Sequence, residues 1–195
     1  MSRGRGIILF KNLIEILDHI NNKETQWIAQ KYIENQLIVK KRKFDIRQWV
    51  LVESWNPLTV WVYAEPYIRF PCNDYTDDEL TDVNTHLTNN SIGKGKKSDK
   101  ATFDIEGNMW SAEELQEYLL EDQGWDIYEE KIKEAMQNAV IHSLESVQDM
   151  FECKQGCFEL FGYDFMIDDD FNVWLIEINS SPAMDYSTPV TERLV

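Results

Sequence analysis

The stretch FELFGYDFMIDDDFNVWLIEINSSP, residues 158–182, decides how this chain is read. Two apolar runs, CFELFGYDFMI (157–167) and VWLIEIN (173–179), flank DDDFN (168–172), whose short polar side chains favour a turn. The runs predict a β-hairpin. Asp164, Glu177 and Asn179 stand within it, and such groups are costly to bury without partners. Side chains alternate faces along a strand. Glu177 and Asn179, two apart, share a face. Asp164 shares its face with Leu160 and Met166, while Phe161, Tyr163 and Phe165 point the other way. A turn centred between Asp170 and Phe171 sets Asp164 directly opposite Glu177, with Cβ atoms about 5 Å apart. It also sets Gly162 opposite Asn179, leaving space beside the amide.

Two opposed carboxylates on a half-buried face repel each other. Either a cation sits between them, or one carboxyl is protonated, or each meets a Lys or Arg from elsewhere. Two carboxylates and an amide are hard oxygen ligands suited to Mg²⁺. Magnesium completes its shell with water and phosphate oxygens, so a metal here implies a nucleoside triphosphate as well.

A second polar strand begins at KFDIR (43–47). Lys43, Asp45 and Arg47 share one face, and Phe44 and Ile46 take the other. Two cations around one carboxylate can grip phosphate or a carboxylate substrate; an exposed charged strand edge gives the same pattern. Arg69 in YIRF (67–70) stands among aromatics, which suits stacking or a surface position. SRGRGI (2–7) combines Gly4 and Gly6 with Arg3 and Arg5. It reads as an ordinary flexible terminus or as a loop turning N–H groups toward phosphate. In HLTNNSI (86–92), Thr88 and Asn89 read by default as turn caps. His86 has no obvious triad partner, and His19 and His142 fall inside helical patterns.

Around these strands, KNLIEILDHI (11–20) has helical spacing, and WIAQKYI (27–33) reads as a strand. KFDIRQWVLVES (43–54) reads as a longer strand, followed by an Asn56-Pro57 turn and another strand in WNPLTVWVYAE (55–65). Residues 71–110 are polar and aperiodic, with a flexible loop expected at 91–100. SAEELQEYLL (111–120) opens on a capping box, Ser111 with Glu114, and predicts a helix. Residues 127–151 predict one long amphipathic helix. The mixture points to an α+β domain with largely antiparallel strands.

The 195 residues carry 35 Asp and Glu against 19 Lys and Arg, a net charge of −16, which argues against nucleic acid as the main partner. The basic islands KKRKFDIR (40–47) and GKGKKSDK (93–100) suit a solvated strand entrance and a flexible loop. Their sharper reading is a landing strip for an acidic peptide or a phosphate. Hydrophobic residues make up 43 %, with seven Trp, enough for a real core. Cys72, Cys153 and Cys157 form no paired framework and no zinc spacing, so free thiols are expected. No apolar run reaches membrane-spanning length, and IILF (7–10) is too short for a signal sequence. A soluble, intracellular protein is expected.

Taken in order, SRGRGI, QKYI, KFDIRQW, YIRF, HLTNNSI, FELFGYDFMIDDDF and WLIEINSSP resemble the tubulin–tyrosine ligase-like family, a branch of the ATP-grasp ligases, over nearly the whole chain. SRGRGI and WNPLTVW look most like its tubulin glycylase branch. The resemblance implies a loop over the ATP phosphates at Arg3, Gly4, Arg5 and Gly6, and an adenine pocket lined by Gln30, Lys31 and Ile33. It implies that Lys43, Asp45 and Arg47 face the nucleotide phosphates and the acceptor carboxylate, with Arg69, Thr88 and Asn89 helping to hold substrate and phosphate. It implies Mg²⁺ at Asp164, Glu177 and Asn179. The reaction implied is ATP-driven addition of free glycine to glutamate side chains of the acidic tubulin tail, with the protein at microtubules of the cytoplasm, cilium and axoneme. A tubulin polyglutamylase of the same family and an inactive tubulin- or nucleotide-binding module are the alternatives. In the family a lysine and a whole region precede the glycine-rich loop, so the sequence reads as the C-terminal portion of such a ligase.

Overall fold

The computed structural model describes residues 6–21, 26–89, 100–151, 156–186 and 188–195. The expected α+β class holds: helices pack on one six-stranded antiparallel sheet. The strands are β1 (Asp45–Trp55), β2 (Leu58–Val62), β3 (Tyr67–Arg69), β4 (Met109–Ser111), β5 (Glu159–Ile167) and β6 (Val173–Asn179). The sheet order is β4-β3-β1-β5-β6, and β2 pairs with the far half of β1. The helices are α1 (Leu13–Ile20), α2 (Val83–His86), α3 (Ala112–Gln123), α4 (Lys133–Glu145) and α5 (Pro189–Leu194). Among the described residues, no helix is long and apolar enough to cross a membrane.

One sheet face is closed by α3 and α4. Ile46, Val50, Val52, Ile68, Tyr163, Phe165 and Ile167 meet Leu115, Leu119, Met136, Val140 and Leu144 there, all buried. Burying each such side chain contributes about 1.5–3 kcal/mol. The Ser111–Glu114 capping box forms as the sequence predicts, with Ser111 N donating to Glu114 Oε2 at 2.7 Å and Glu114 N to Ser111 Oγ at 3.2 Å. Gly124 ends the helix at φ +76°, the left-handed cap that glycine adopts freely.

Three expectations change. The long helix over 127–151 is broken into a π-helical turn (Tyr128–Ile132), α4, and a 3₁₀ turn (Gln148–Met150). Its buried residues Tyr128, Ile132, Met136, Val140 and Leu144 recur every fourth position. That spacing drifts about 40° per step on an ideal α-helix, and the wider π turn offsets part of the drift. WIAQKYI forms no strand and pairs with none among the described residues, and its Ile28 is 95 % exposed. The span 71–110 holds α2, a 3₁₀ turn (Glu106–Asn108) and most of β4, too short to show periodicity in sequence.

The β5–β6 hairpin has the expected pairs, Asp164 with Glu177 and Gly162 with Asn179, by a different route. Next to the turn the partners are Ile167–Val173, Met166–Trp174 and Phe165–Leu175, so the turn centres on Asp170. Ile176 is then an extra residue on β6, a bulge that shifts the register by one. The Asp168 carboxylate holds the turn, accepting from Asp170 N at 3.1 Å, Asn172 N at 2.8 Å and Trp174 Nε1 at 2.8 Å.

Candidate functional site

The sheet face turned away from α3 and α4 carries the polar residues. Arg47 on β1 pairs across to Tyr67 on one side and Asp164 on the other, and Asp164 pairs to Glu177. The next row holds Trp49, Gly162 and Asn179. Beside Trp49 a small apolar patch of Tyr67, Met109 and Leu194 seats α5 against this face.

Two buried arginines and two aspartates lock together. Arg47 Nε donates to Asp164 Oδ1, and Arg47 Nη2 to Asp164 Oδ2 at 2.9 Å. Arg69 Nη2 reaches the same Oδ2 at 3.1 Å. Arg69 also grips Asp45 with both ends of its fork, Nε to Oδ1 at 2.7 Å and Nη2 to Oδ2 at 2.8 Å. The Thr88 hydroxyl donates to Asp45 Oδ2, and Asn179 Nδ2 lies 3.4 Å from Asp164 Oδ2. Burial alone would raise the Asp164 pKa, but the Arg69 and Arg47 guanidinium groups more than offset it and hold the carboxyl below its ordinary range. Burial likewise works against the Arg69 charge, and Asp45 and Asp164 overcome it, so its pKa lies above normal.

Of the explanations open for the Asp164–Glu177 pair, Asp164 therefore meets arginines from elsewhere. Gly162 makes this possible. A Cβ there would stand 2.8 Å from Pro182 Cβ and 3.1 Å from Arg47 Nη1. The space beside Asn179 is thus filled by the Arg47 side chain and Pro182.

Lys43 sits just before β1, 6 % exposed, with its ammonium 5.4 Å from the Tyr32 ring centre. Burial lowers its pKa from the ordinary 10.5 to about 8, against the opposing pull of Asp45. Tyr32 OH and His86 Nδ1 are 3.1 Å apart, and Glu79 O lies 3.3 Å from His86 Nε2. His86, which the sequence leaves without a role, anchors the segment around Tyr32 to α2.

Three expectations about charge are overturned. The 40–47 island is no solvated entrance: Arg42, Lys43 and Arg47 are all buried. Nor is 43–47 a sheet edge, because β1 lies between β3 and β5. Arg69 is likewise a buried ion-pair partner instead of a stacked or surface residue. Arg42 does not stand out in the sequence. It is 2 % exposed and staples loops by donating to Pro71 O at 3.2 Å, Asn108 Oδ1 at 2.9 Å and Phe103 O at 2.5 Å. A lone Arg in a basic run carries no pattern that marks it as buried.

The fold thus gathers Asp45, Arg47, Arg69, Thr88, Asp164 and Asn179, with Lys43 adjoining. Glu177 lies directly across from Asp164 and is exposed. Asn89 follows Thr88 and is half-buried. Gln30 and Lys31 are exposed, Ile33 is half-buried, and no described contact joins them to the ion network; Lys31 pairs with Glu34 at 3.5 Å. Gly6 is exposed at φ +82° with open space around it. Arg3, Gly4 and Arg5, the 91–99 part of the loop, and Cys153 lie outside the described residues. Among the described residues, Cys72 and Cys157 form no disulfide.

Asp164, Glu177 and Asn179 fit a hard divalent cation by donor chemistry. All offer oxygen, and they occupy adjacent rows of two paired strands. Among the described residues no three His, Cys, Asp or Glu side chains gather as a metal cage. The set suits an ion that takes one or two carboxylates and completes its shell with water and phosphate, as magnesium does.

The tubulin–tyrosine ligase family model matches residues 1–195. The chain is 55 % identical over 196 residues to Tubulin glycylase 3C of Tetrahymena thermophila, a match covering 100 % of this chain and 18 % of that protein. It is 44 % identical over 200 residues to human Tubulin monoglycylase TTLL3, covering 99 % of this chain and 26 % of that protein. Against human Protein monoglycylase TTLL8 it is 42 % identical over 200 residues, covering 99 % of this chain and 23 % of that protein. The chain thus spans about a fifth to a quarter of these relatives' lengths.

Proposed function

This chain belongs to the tubulin–tyrosine ligase family, and from that premise we propose that it carries part of an ATP-grasp active site for joining glycine to glutamate side chains of tubulin tails. The observation that carries this reading is the Arg47–Asp164–Arg69–Asp45 array, buried except for the half-buried Asp45, beside Glu177 and Asn179. Replacing such an array with apolar residues is often neutral or stabilising by about 1–4 kcal/mol. Stability alone therefore gives no reason for three buried charges and a half-buried fourth, Asp45, whereas handling an anionic substrate does.

The reaction proposed has two steps. The acceptor glutamate carboxylate takes the γ-phosphoryl group of ATP, giving an acyl phosphate and ADP. The neutral amine of glycine then attacks the acyl carbon, the carbon–oxygen bond to phosphate breaks, and inorganic phosphate leaves with a proton lost from nitrogen. Mg²⁺, held by Asp164, Glu177 and Asn179, supplies neutralisation of phosphate charge. Lys43, charged below about pH 8, faces phosphate. Arg47 and Arg69 present planar forks that match a carboxylate. Asp45, fixed by Thr88, aims Arg69. Such chemistry draws most of its rate from positioning and charge stabilisation.

Gln30, Lys31 and Ile33 are proposed to line the adenine pocket, and Arg3, Gly4, Arg5 and Gly6 to cover the phosphates. Asn89 is proposed to assist Thr88. The same reading puts the protein's work at microtubules of the cytoplasm, cilium and axoneme. The test is transfer of labelled glycine to tubulin in the presence of ATP, with labelled glutamate in parallel. Glycine incorporation that needs Arg47 supports the reading. Transfer of glutamate alone moves the protein to the glutamylase branch, and transfer of neither overturns the ligase proposal.

A further inference from the structure

We propose that Asp164 is a positioning residue that keeps Arg47 occupied until a divalent cation takes it, so that the cation and the acceptor carboxylate bind with positive coupling. This rests on the functional reading above.

A carboxylate offers about four lone-pair sites. Asp164 has four N–H donors around it: Arg47 Nε and Nη2, Arg69 Nη2 at 3.1 Å and Asn179 Nδ2 at 3.4 Å. A cation that binds Asp164 must displace at least one of them. The two arginines differ in what remains to them. Arg69 keeps Asp45, which holds both Nε and Nη2 of its fork. Arg47 has Asp164 as its single carboxylate partner among the described residues, and that partner fills the Nε–Nη2 edge. Its remaining nitrogen, Nη1, lies against the Gly162–Pro182 corner. Arg47 therefore has no free two-pronged edge for an incoming carboxylate until Asp164 changes partner, and Arg47 is the arginine released. By linkage the acceptor must tighten cation binding by the same factor.

The test is calorimetric titration of the full chain with an oligoglutamate peptide, with and without MgCl₂ at matched ionic strength, and the reverse titration of Mg²⁺ with and without peptide. The peptide is expected to bind at least about fivefold tighter with Mg²⁺, in the range usual for coupled sites, with the same factor in reverse. Glu177→Gln, an exposed change, is expected to bring that factor toward one. Asp164→Asn is expected to bind peptide tightly without Mg²⁺ and to ignore added Mg²⁺. If Asp164→Asn does not fold, Glu177→Gln and the reciprocity decide. Equal peptide affinity with and without Mg²⁺ in the native chain, or no peptide binding under any condition, overturns the proposal. A factor that survives Glu177→Gln also overturns it, since Mg²⁺ would then be acting on the peptide itself. Coupling without glycine transfer would leave this inference standing and remove the ligase reading.

Discussion

Arg42 and Arg69 are both buried, both essential to local geometry, and paired with different chemistry. Arg42 donates to two backbone carbonyls and an amide, and its Nε stands 4.0 Å from Asp74 without a hydrogen bond. Arg69 binds two carboxylates that belong to two other strands. Carbonyls of the chain's own loops have no better partner to take, so Arg42 is a staple. Side-chain carboxylates on the sheet face turned away from α3 and α4 can exchange a guanidinium for another cation, so the Arg69 and Arg47 pairs can take part in binding. Burial alone does not separate the two kinds of cation; the identity of the acceptor does.

Four substitutions or conditions would break or sharpen that contrast. Arg69→Met leaves the buried Asp164 and the half-buried Asp45 undercompensated and is expected to lower unfolding free energy by about 3–5 kcal/mol, read by urea denaturation. Glycine transfer should also be lost in whatever remains folded. Arg42→Met leaves buried carbonyls unpaired and is expected to cost about 2–3 kcal/mol. The folded fraction should keep its affinity for oligoglutamate; a loss of that affinity would collapse the distinction. Gly162→Ala forces a methyl against Pro182 and Arg47 and is expected to cost about 1–3 kcal/mol, as overpacking does. Its peptide affinity should fall too, because Arg47 loses its seat.

A fourth effect, which needs no substitution, is that of pH on Lys43. Its folded pKa, about 8, lies below the ordinary 10.5 because burial disfavours the charge. Between those values the unfolded chain holds a proton that the folded chain lacks, so this group's contribution makes stability rise with pH through that window. Below about pH 8 the full cost of burying the charge is present. Nucleotide affinity should move oppositely, falling as pH passes 8, and Lys43→Met should flatten that profile.

The strand period alone puts Asp164, Glu177 and Asn179 together, because alternation survives small errors in where a turn begins. The turn centre read from sequence is half a residue away from the real one, and the Ile176 bulge makes up the difference. Bulges leave little trace in a run such as VWLI (173–176), where every residue suits a strand. Lys43, Asp45 and Arg47 are legible as a set for the same reason of period. Arg69's partners are not, since they come from β1 and β5, and no local pattern reports a contact between separate strands. WIAQKYI fails as a strand because composition reports a residue's liking for a sheet and says nothing of whether a neighbouring edge exists. The helix over 127–151 is legible in extent, while its π turn depends on packing against the sheet.

The Ile176 bulge also sets how β6 tolerates changes of length, and the tolerance is lopsided. Deleting Ile176 removes the extra residue and leaves Leu175 opposite Phe165 and Glu177 opposite Asp164, so a smooth ladder replaces a bulged one. Adding a residue between Ile176 and Glu177 has no such outlet. With one bulge kept and the turn-side pairs in place, Glu177 moves opposite Tyr163, on the helix-covered side, because a one-residue slip exchanges the two faces. The segment between the DDDFN turn and the Glu-x-Asn pair is therefore expected to accept a shortening by one more readily than a lengthening by one.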